Sequence, residues 1–512
     1  MRSRRPQSRP HPLMCGPTGS NNLGIKSKLM NLKVISRNVG FALLTSAFFM
    51  FLSMIVSMSR GNDSALAALM ISFVITFTVG VFPFIFVRST ERISLKDGYM
   101  IIVLSWSLSF IFGMLPYLLW GGPFTVVNSL FESVSGYTTT GATILEEVES
   151  LPDSLLFWRS STHFIGGLGV VVFLLLIIPS SSPVRLRLTN LELSSLSREG
   201  YRSRANKTVI IYTSVYCCLV LLSFLSYWIA GMPAFDAINH AFSVCATGGF
   251  STRNLSIASY DSNLINVVTI VFMFLASVHF GTLFMAVVTR SLKPLNNPVF
   301  RYYVCMVVAV SLIMSFSLRL NDSGISLGDS LMSGFFHTLT FITTTGFAIG
   351  DNNAWPAFVN TLMLIISLQC GMAGSTTGGI KADRIYLTFK ALGHQVKHVL
   401  HPTSINQIRI NNHYLKMDEA YPHILYICIY FIILCLSTGL NTLFGLHDSN
   451  ALYATVSCLS NVGPAIGDLG TFGNYNSAPV MSKIIFCIDM FIGRIEIYPM
   501  LAVMMMAFHR NK

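Results

Sequence analysis

The residues best placed to do chemistry in this chain are short runs of threonine and glycine. Thr139, Thr140 and Gly141 sit near the end of the stretch NSLFESVSGYTTTGAT, which has three relatives further along. FDAINHAFSVCATGGF carries Ala246, Thr247 and Gly248; SGFFHTLTFITTTGFA carries Thr344, Thr345 and Gly346; NALYATVSCLSNVGPA carries Asn461, Val462 and Gly463. A bare cation moved from water into hydrocarbon faces a cost of order tens of kcal/mol, so its hydration shell must be replaced by oxygens held in place. Backbone carbonyls can supply them. Glycine permits the backbone angles that turn successive carbonyls inward, and small residues let four strands approach one axis.

The elements that must position these runs are visible in the residues before them. Counting back from Gly141, Gly248, Gly346 and Gly463, the same positions are apolar in every copy: Leu130, Phe131, Val134 and Tyr137; Ala237, Ile238, Ala241 and Val244; Phe335, Phe336, Leu339 and Ile342; Leu452, Tyr453, Val456 and Leu459. This is one stripe of an α-helix about three turns long, too short to cross a bilayer. A short helix followed by an extended small-residue turn, buried between long apolar segments, is the pattern of a pore helix and selectivity filter. Each such helix aims a C-terminal partial charge of roughly −0.5 at the turn, which favours a cation and repels an anion.

Composition sets the surroundings. Charged residues are 11% of the 512, against a globular norm of about 25%, and hydrophobic residues are 52%. The chain therefore reads as a polytopic membrane protein. Its net charge of +12 does not indicate nucleic acid, because the basic residues fall in alternate loops. The ten cysteines include no CxxC and mostly lie inside apolar runs, where they act as buried hydrophobes. No phosphate-binding loop, dinucleotide fingerprint or nucleophile elbow is present, so nothing points to an enzyme or to an organic cofactor.

In chain order, 1–39 is a basic cytoplasmic tail, whose first part, 1–29, is either an upstream extension or disordered tail or a contact for anionic membrane lipid. Two leading spans follow within 40–97, at 41–58 and 65–87. Four modules then occupy 98–206, 207–298, 299–416 and 417–512, each running as outer helix, short helix, filter and inner helix. The outer helices are expected at 99–120, 209–230, 302–318 and 421–440, and the inner helices at 161–178, 264–288, 358–379 and 480–508. The fold class is thus all-α, with ten spans and four tandem modules around one pore.

The loops test this order. Those on the N-terminal side carry Arg185, Arg187, Arg198, Arg202 and Arg204, then Arg290, Lys293 and Arg301, then Lys390, Lys397, Arg409 and Lys416. The filter-side loops carry Glu146, Glu147, Glu149, Asp153, Asp261, Asp322, Asp351 and Asp448. The positive-inside rule puts both termini in the cytoplasm and the filters outside, where an acidic vestibule concentrates cations.

Two further stretches stand out. The third inner helix contains Gly371, Gly374, Ser375, Thr376, Thr377, Gly378 and Gly379, with Lys381 just beyond. So many glycines cannot form a stable helix, and unwound backbone at membrane depth is tolerated only beside protein or a water-filled cavity. It is either a packing kink or an intramembrane loop. In the last inner helix Asp489, Arg494 and Glu496 are ionisable residues within an apolar run. On a continuous helix Asp489 and Glu496 lie within about 20° of one face and Arg494 about 140° away, so Arg494 faces something else. From the residues alone, an acid on another helix is one such partner.

Taken together the motifs resemble the TrkH subunits of bacterial Trk potassium uptake systems, within the TrkH/TrkG/KtrB superfamily. The resemblance runs from Met30 to the C-terminus and rests on TTTGAT at 138–143, FWRSSTHFIGGLG at 157–169, ATGGFST at 246–252, TTTGF at 343–347, GSTTGGIK at 374–381, NVGPAIG at 461–467 and GRIE at 493–496. It implies potassium as the transported ion, with rubidium as surrogate, since Gly141 stands where serine goes with sodium permeation. It also implies membrane-potential-driven uptake across the inner membrane, an intramembrane loop obstructing the pore below the filter, and Arg494 as an electrostatic gate. A homodimer and a separate cytosolic ring of TrkA-like nucleotide-binding regulatory subunits are implied as partners. Asp489, Met372 and Ala465 depart from common family patterns. A proton- or sodium-coupled symporter, with Asp489 as the coupling carboxylate, and a non-transporting sensor-like paralogue are the rival readings.

Overall fold

The computed structural model describes residues 31–87, 94–181, 201–322, 324–401, 407–410 and 413–509. The expected tail at 1–29 and the basic residues Arg185, Arg187 and Arg198 lie outside the described residues. The chain begins with an antiparallel pair, α1 (Leu32–Ser59) and α2 (Leu66–Phe86). The two pack closely because both carry glycine at the contact: a Cβ on Gly40 would lie 2.7 Å from the Gly80 carbonyl oxygen. Their turn is held by Ser57 Oγ, which donates to Asp63 at 2.6 Å.

Next come α3 (Leu95–Gly113), started by a capping box between Ser94 and Asp97, then α4 (Leu115–Trp120), α5 (Val126–Tyr137) and α6 (Asp153–Ser181). The second group is α7 (Tyr201–Ile229), α8 (Ala234–Ala246), α9 (Asn263–Ser277) and α10 (Phe280–Val288). The third is α11 (Pro298–Asn321), α12 (Leu327–Ile342), α13 (Ala357–Leu368), strands β1 (Gln369–Cys370) and β2 (Ile380–Lys381), and α14 (Ala382–Leu400). Strands β3 (Gln407–Ile410) and β4 (His413–Lys416) form a hairpin, followed by α15 (Met417–Leu443), α16 (Asp448–Ser460), α17 (Val480–Ile495) and α18 (Ile497–His509).

Among the described residues six helices are long and apolar enough to cross a membrane, or seven if α9 and α10 count as one bent span. The four short helices α5, α8, α12 and α16 lie where the apolar stripes place them, and their C-terminal ends are buried.

Three inner helices are not continuous: the break in the third is the one its glycines predict, while those in the second and fourth are contrary to the sequence expectation. The helix expected at 264–288 bends by 102° between α9 and α10. There the Ser277 carbonyl accepts from Met372 N–H at 2.9 Å rather than from its own helix, and the His279 side chain caps α10 by accepting from Thr282 N–H at 3.2 Å. The helix expected at 358–379 stops at Leu368, and the chain resumes as a helix only at Ala382. The last one breaks at Glu496, whose φ is +66°. Asp489 and Glu496 therefore do not share one helical face: Ser437 donates to Asp489, while Glu496 pairs with Arg384 at 2.7 Å.

Candidate functional site

Each short helix ends in the same way. Thr139, Thr247, Thr344 and Asn461 adopt left-handed angles, with φ of +52°, +55°, +58° and +60°. Their N–H groups donate to the carbonyls of Gly136, Val244, Phe341 and Cys458, and the next N–H of each copy reaches back to Ser135, Ser243, Thr340 and Ser457. This is one C-terminal capping motif built four times, and it satisfies the last carbonyls of each helix.

The motif also fixes the register, and here the sequence alignment needs correction. Two residues beyond each left-handed cap comes a positive-φ glycine: Gly141, Gly249, Gly346 and Gly463. The partner of Gly141 in the second copy is thus Gly249, and Gly248 occupies the place of Thr140. In ATGGF the sequence offers two adjacent glycines, and only the cap distinguishes them.

These glycines bring the four strands together in a closed cycle. A Cβ on Gly141 would lie 2.0 Å from the Gly248 carbonyl oxygen, one on Gly249 2.1 Å from that of Thr345, one on Gly346 2.3 Å from that of Val462, and one on Gly463 2.5 Å from that of Thr140. Each strand abuts the next, and the fourth returns to the first. No side chain fits at these four positions. Neighbouring hydroxyls tie the strands internally, Thr138 to Thr140 at 2.8 Å and Thr343 to Thr345 at 2.7 Å, while Asn461 Nδ2 donates across to Thr140 Oγ1 at 3.0 Å. A cavity of about 80 Å³ opens on one side of the ring, lined by the four glycines together with Glu146, Arg159 and Arg253. Partial burial lowers the Arg253 guanidinium, but the Asp236 carboxylate at 3.2 Å and the Tyr260 hydroxyl together outweigh it and hold Arg253 above its ordinary value.

On the other side lies the glycine-rich stretch. It is a loop, so the packing-kink alternative is set aside. Its base is stitched to two helix breaks: Phe280 N–H donates to the Gly374 carbonyl at 3.1 Å, Ala382 N–H to that of Gly371 at 3.0 Å, and Ala373 N–H to Asp383 Oδ2 at 2.6 Å. Its tip reaches the short helices and strands around the ring. Thr376 Oγ1 donates to the Cys245 and Ala276 carbonyls at 3.0 and 3.2 Å, and Gly378 N–H donates to Thr344 Oγ1 at 3.2 Å. Glycine is required where the loop touches its neighbours: a Cβ on Gly378 would lie 2.6 Å from Asn461 Oδ1, and one on Gly379 2.5 Å from the Cys370 sulfur.

Two cations hold the loop. The Arg494 guanidinium donates to the Thr376 carbonyl and, at 3.3 Å, to that of Gly166. The Lys381 ammonium donates to the Thr377 carbonyl and, at 3.0 Å, to its hydroxyl. Ser375 closes the turn by donating to the Met372 carbonyl at 2.6 Å. Among the described residues Arg494 has no acidic partner; its hydrogen bonds go to the Thr376 and Gly166 carbonyls.

With this geometry in place, the comparisons are specific. A family model described as a cation transport protein, TrkH, matches residues 65–510. The chain belongs to the TrkH family. The Trk system potassium uptake protein TrkH of Salmonella typhimurium is 30% identical over 486 residues, covering 94% of this chain and all of that protein. TrkG of the Escherichia coli Trk system is 29% identical over 496 residues, covering 94% and 99%. The crystal structure of the potassium transporter TrkH from Vibrio parahaemolyticus superposes with a TM-score of 0.82 at 28% identity, covering 93% of this chain and 98% of that one.

As a member of the TrkH family with several apolar helices of spanning length, the chain is a multi-pass membrane protein. Three residues that position this site escaped the sequence reading. Gly249 was hidden by its neighbour. Gly166 lies against the Tyr137 carbonyl oxygen, 1.9 Å from where its Cβ would be, and Asp383 anchors the loop base. The GG pair inside FWRSSTHFIGGLG was the available signal for Gly166; Asp383 gave none, because its partner is a backbone N–H of the loop.

Proposed function

We propose that this TrkH family member carries potassium into the cell by a channel-like path, driven by the membrane potential. The observation that carries the reading is the closed cycle of Gly141, Gly249, Gly346 and Gly463, each abutting the next strand's carbonyl. Carbonyl-lined strands meeting at short-helix C-termini offer a dehydrated cation oxygen ligands and a favourable dipole field. The relatives named for potassium uptake support potassium as the cargo. In this reading the modules are 98–206, 207–298, 299–416 and 417–512, following two leading helices, and ten segments span the inner membrane with both termini in the cytoplasm.

The loop at 371–379 is the gate. Arg494 and Lys381 hold two consecutive loop carbonyls and place positive charge directly below the filters. A cytosolic nucleotide-binding regulatory subunit would open it by withdrawing these bonds, and the working unit would be a homodimer. Rubidium flux into proteoliposomes under an inside-negative potential, with proton and sodium gradients collapsed, tests the mechanism. Flux that persists supports a channel; flux that stops indicates coupling.

A proton- or sodium-coupled symporter is the second reading, and Asp489 is the residue that favours it. It is 2% exposed and, among the described residues, in no ion pair. Its hydrogen bond comes from Ser437 on the outer helix α15 and not from a filter strand, which weighs against its touching the permeating ion.

A further inference from the structure

The first two filter strands are joined by a charged brace, whereas the described supports of the third and fourth are neutral. Glu132 on α5 is fully buried. Its carboxylate accepts from Thr143 Oγ1 and Ile144 N–H, both at 3.1 Å, just beyond Gly141, and from Arg159 Nε at 2.6 Å. Arg159 on α6 in turn donates to the Ser251 carbonyl at 2.9 Å, just beyond Gly249, and its guanidinium lies 3.5 Å from the centroid of the Phe250 ring. One ion pair therefore ties the ends of two neighbouring strands. By contrast, Thr340 Oγ1 donates to the Phe347 carbonyl at 2.8 Å and Tyr475 OH to that of Gly463 at 2.9 Å.

The pair is also placed asymmetrically. Arg159 lines the cavity beside the four glycines, and Glu132 stands behind it. A lone guanidinium there would oppose an approaching cation, and in a partly desolvated site it would be little screened.

Resting on the filter reading above, we propose that Glu132 and Arg159 are positioning residues that hold strands one and two in register while cancelling each other's charge at the mouth. Their balance sets the apparent affinity for the permeating cation. Glu132→Gln leaves the Arg159 charge uncompensated; Arg159→Gln leaves Glu132 uncompensated. The two substitutions therefore act in opposite directions.

The test is rubidium uptake by full-length protein in proteoliposomes, with KM measured over a range of external rubidium and with external barium as a blocker. Glu132→Gln is expected to raise KM and Arg159→Gln to lower it, each by roughly fivefold or more, the scale of one uncompensated charge in a partly buried site. Arg159→Gln should also strengthen barium block. The double variant Glu132→Gln/Arg159→Gln, which strands no charge, is expected to return KM to within about twofold of wild type. A brace that is only structural would raise KM or abolish uptake in both single variants, and the double would do no better. That result, or single variants with wild-type KM, overturns the proposal. Should a single variant fail to fold, the double alone decides, since a KM far from wild type contradicts charge cancellation. An absence of rubidium uptake by the wild type would instead count against the filter reading itself.

Discussion

At each of the four glycine strands the decisive feature is a missing Cβ. Gly141→Ser would place one 2.0 Å from the Gly248 carbonyl oxygen, so that carbonyl must move. Rubidium preference over sodium should fall by about tenfold, equivalent to about 1.4 kcal/mol of discrimination. Gly249→Ser is expected to act in parallel, because its Cβ would meet the Thr345 carbonyl oxygen at 2.1 Å and its φ is already positive. Competition flux on both variants checks this, and a Gly249→Ser protein that keeps wild-type preference would return the register to Gly248. Arg494→Gln removes the charge beneath the filters while keeping a donor for Thr376, so flux without any cytosolic partner should rise several-fold. The threonine–glycine runs were legible because their chemistry lies in the backbone and so shows as residue size. The exact register was not, since φ is fixed by the helix cap and not by the letters GG.

At the scale of elements, the breaks in the inner helices matter as much as the helices. The loop break was legible from composition, because glycine destabilises helix wherever it is placed. The bend after Ser277 and the break at Glu496 were not, because tertiary bonds cause them: Met372 N–H takes the Ser277 carbonyl, and Arg384 takes the Glu496 carboxylate. The Arg384 guanidinium also lies 3.8 Å from the centroid of the Tyr426 ring. Arg384→Ala would remove one partner of this buried ion pair, at a cost of about 3–5 kcal/mol, visible as a lower unfolding temperature in detergent. Arg384→Lys should recover part of it, since the charge remains but the planar fork is lost. The same reasoning makes Asp383→Ala a leak variant. It frees the Ala373 N–H that anchors the loop base, so basal rubidium flux should rise with little loss of ion preference.

For the molecule as a whole, membrane residence was legible in composition, and the four short helices in the recurrence of one stripe. The closure of the four strands into a cycle was legible only as an expectation, because no pattern along the chain states which strand touches which. The account also sets the role of Asp489: in a channel, Asp489→Asn leaves rubidium flux unaffected by collapsing proton and sodium gradients, as in wild type. The central claim is that the four glycine strands form one selective path. It is tested most directly by rubidium flux into proteoliposomes under an imposed inside-negative potential with sodium competing, comparing wild type with Gly141→Ser. The account predicts that wild type takes up rubidium in preference to sodium and that the substitution weakens this preference while leaving the protein folded. A wild type that carries neither ion even with its cytosolic partner added, or a substitution that changes nothing, would contradict it.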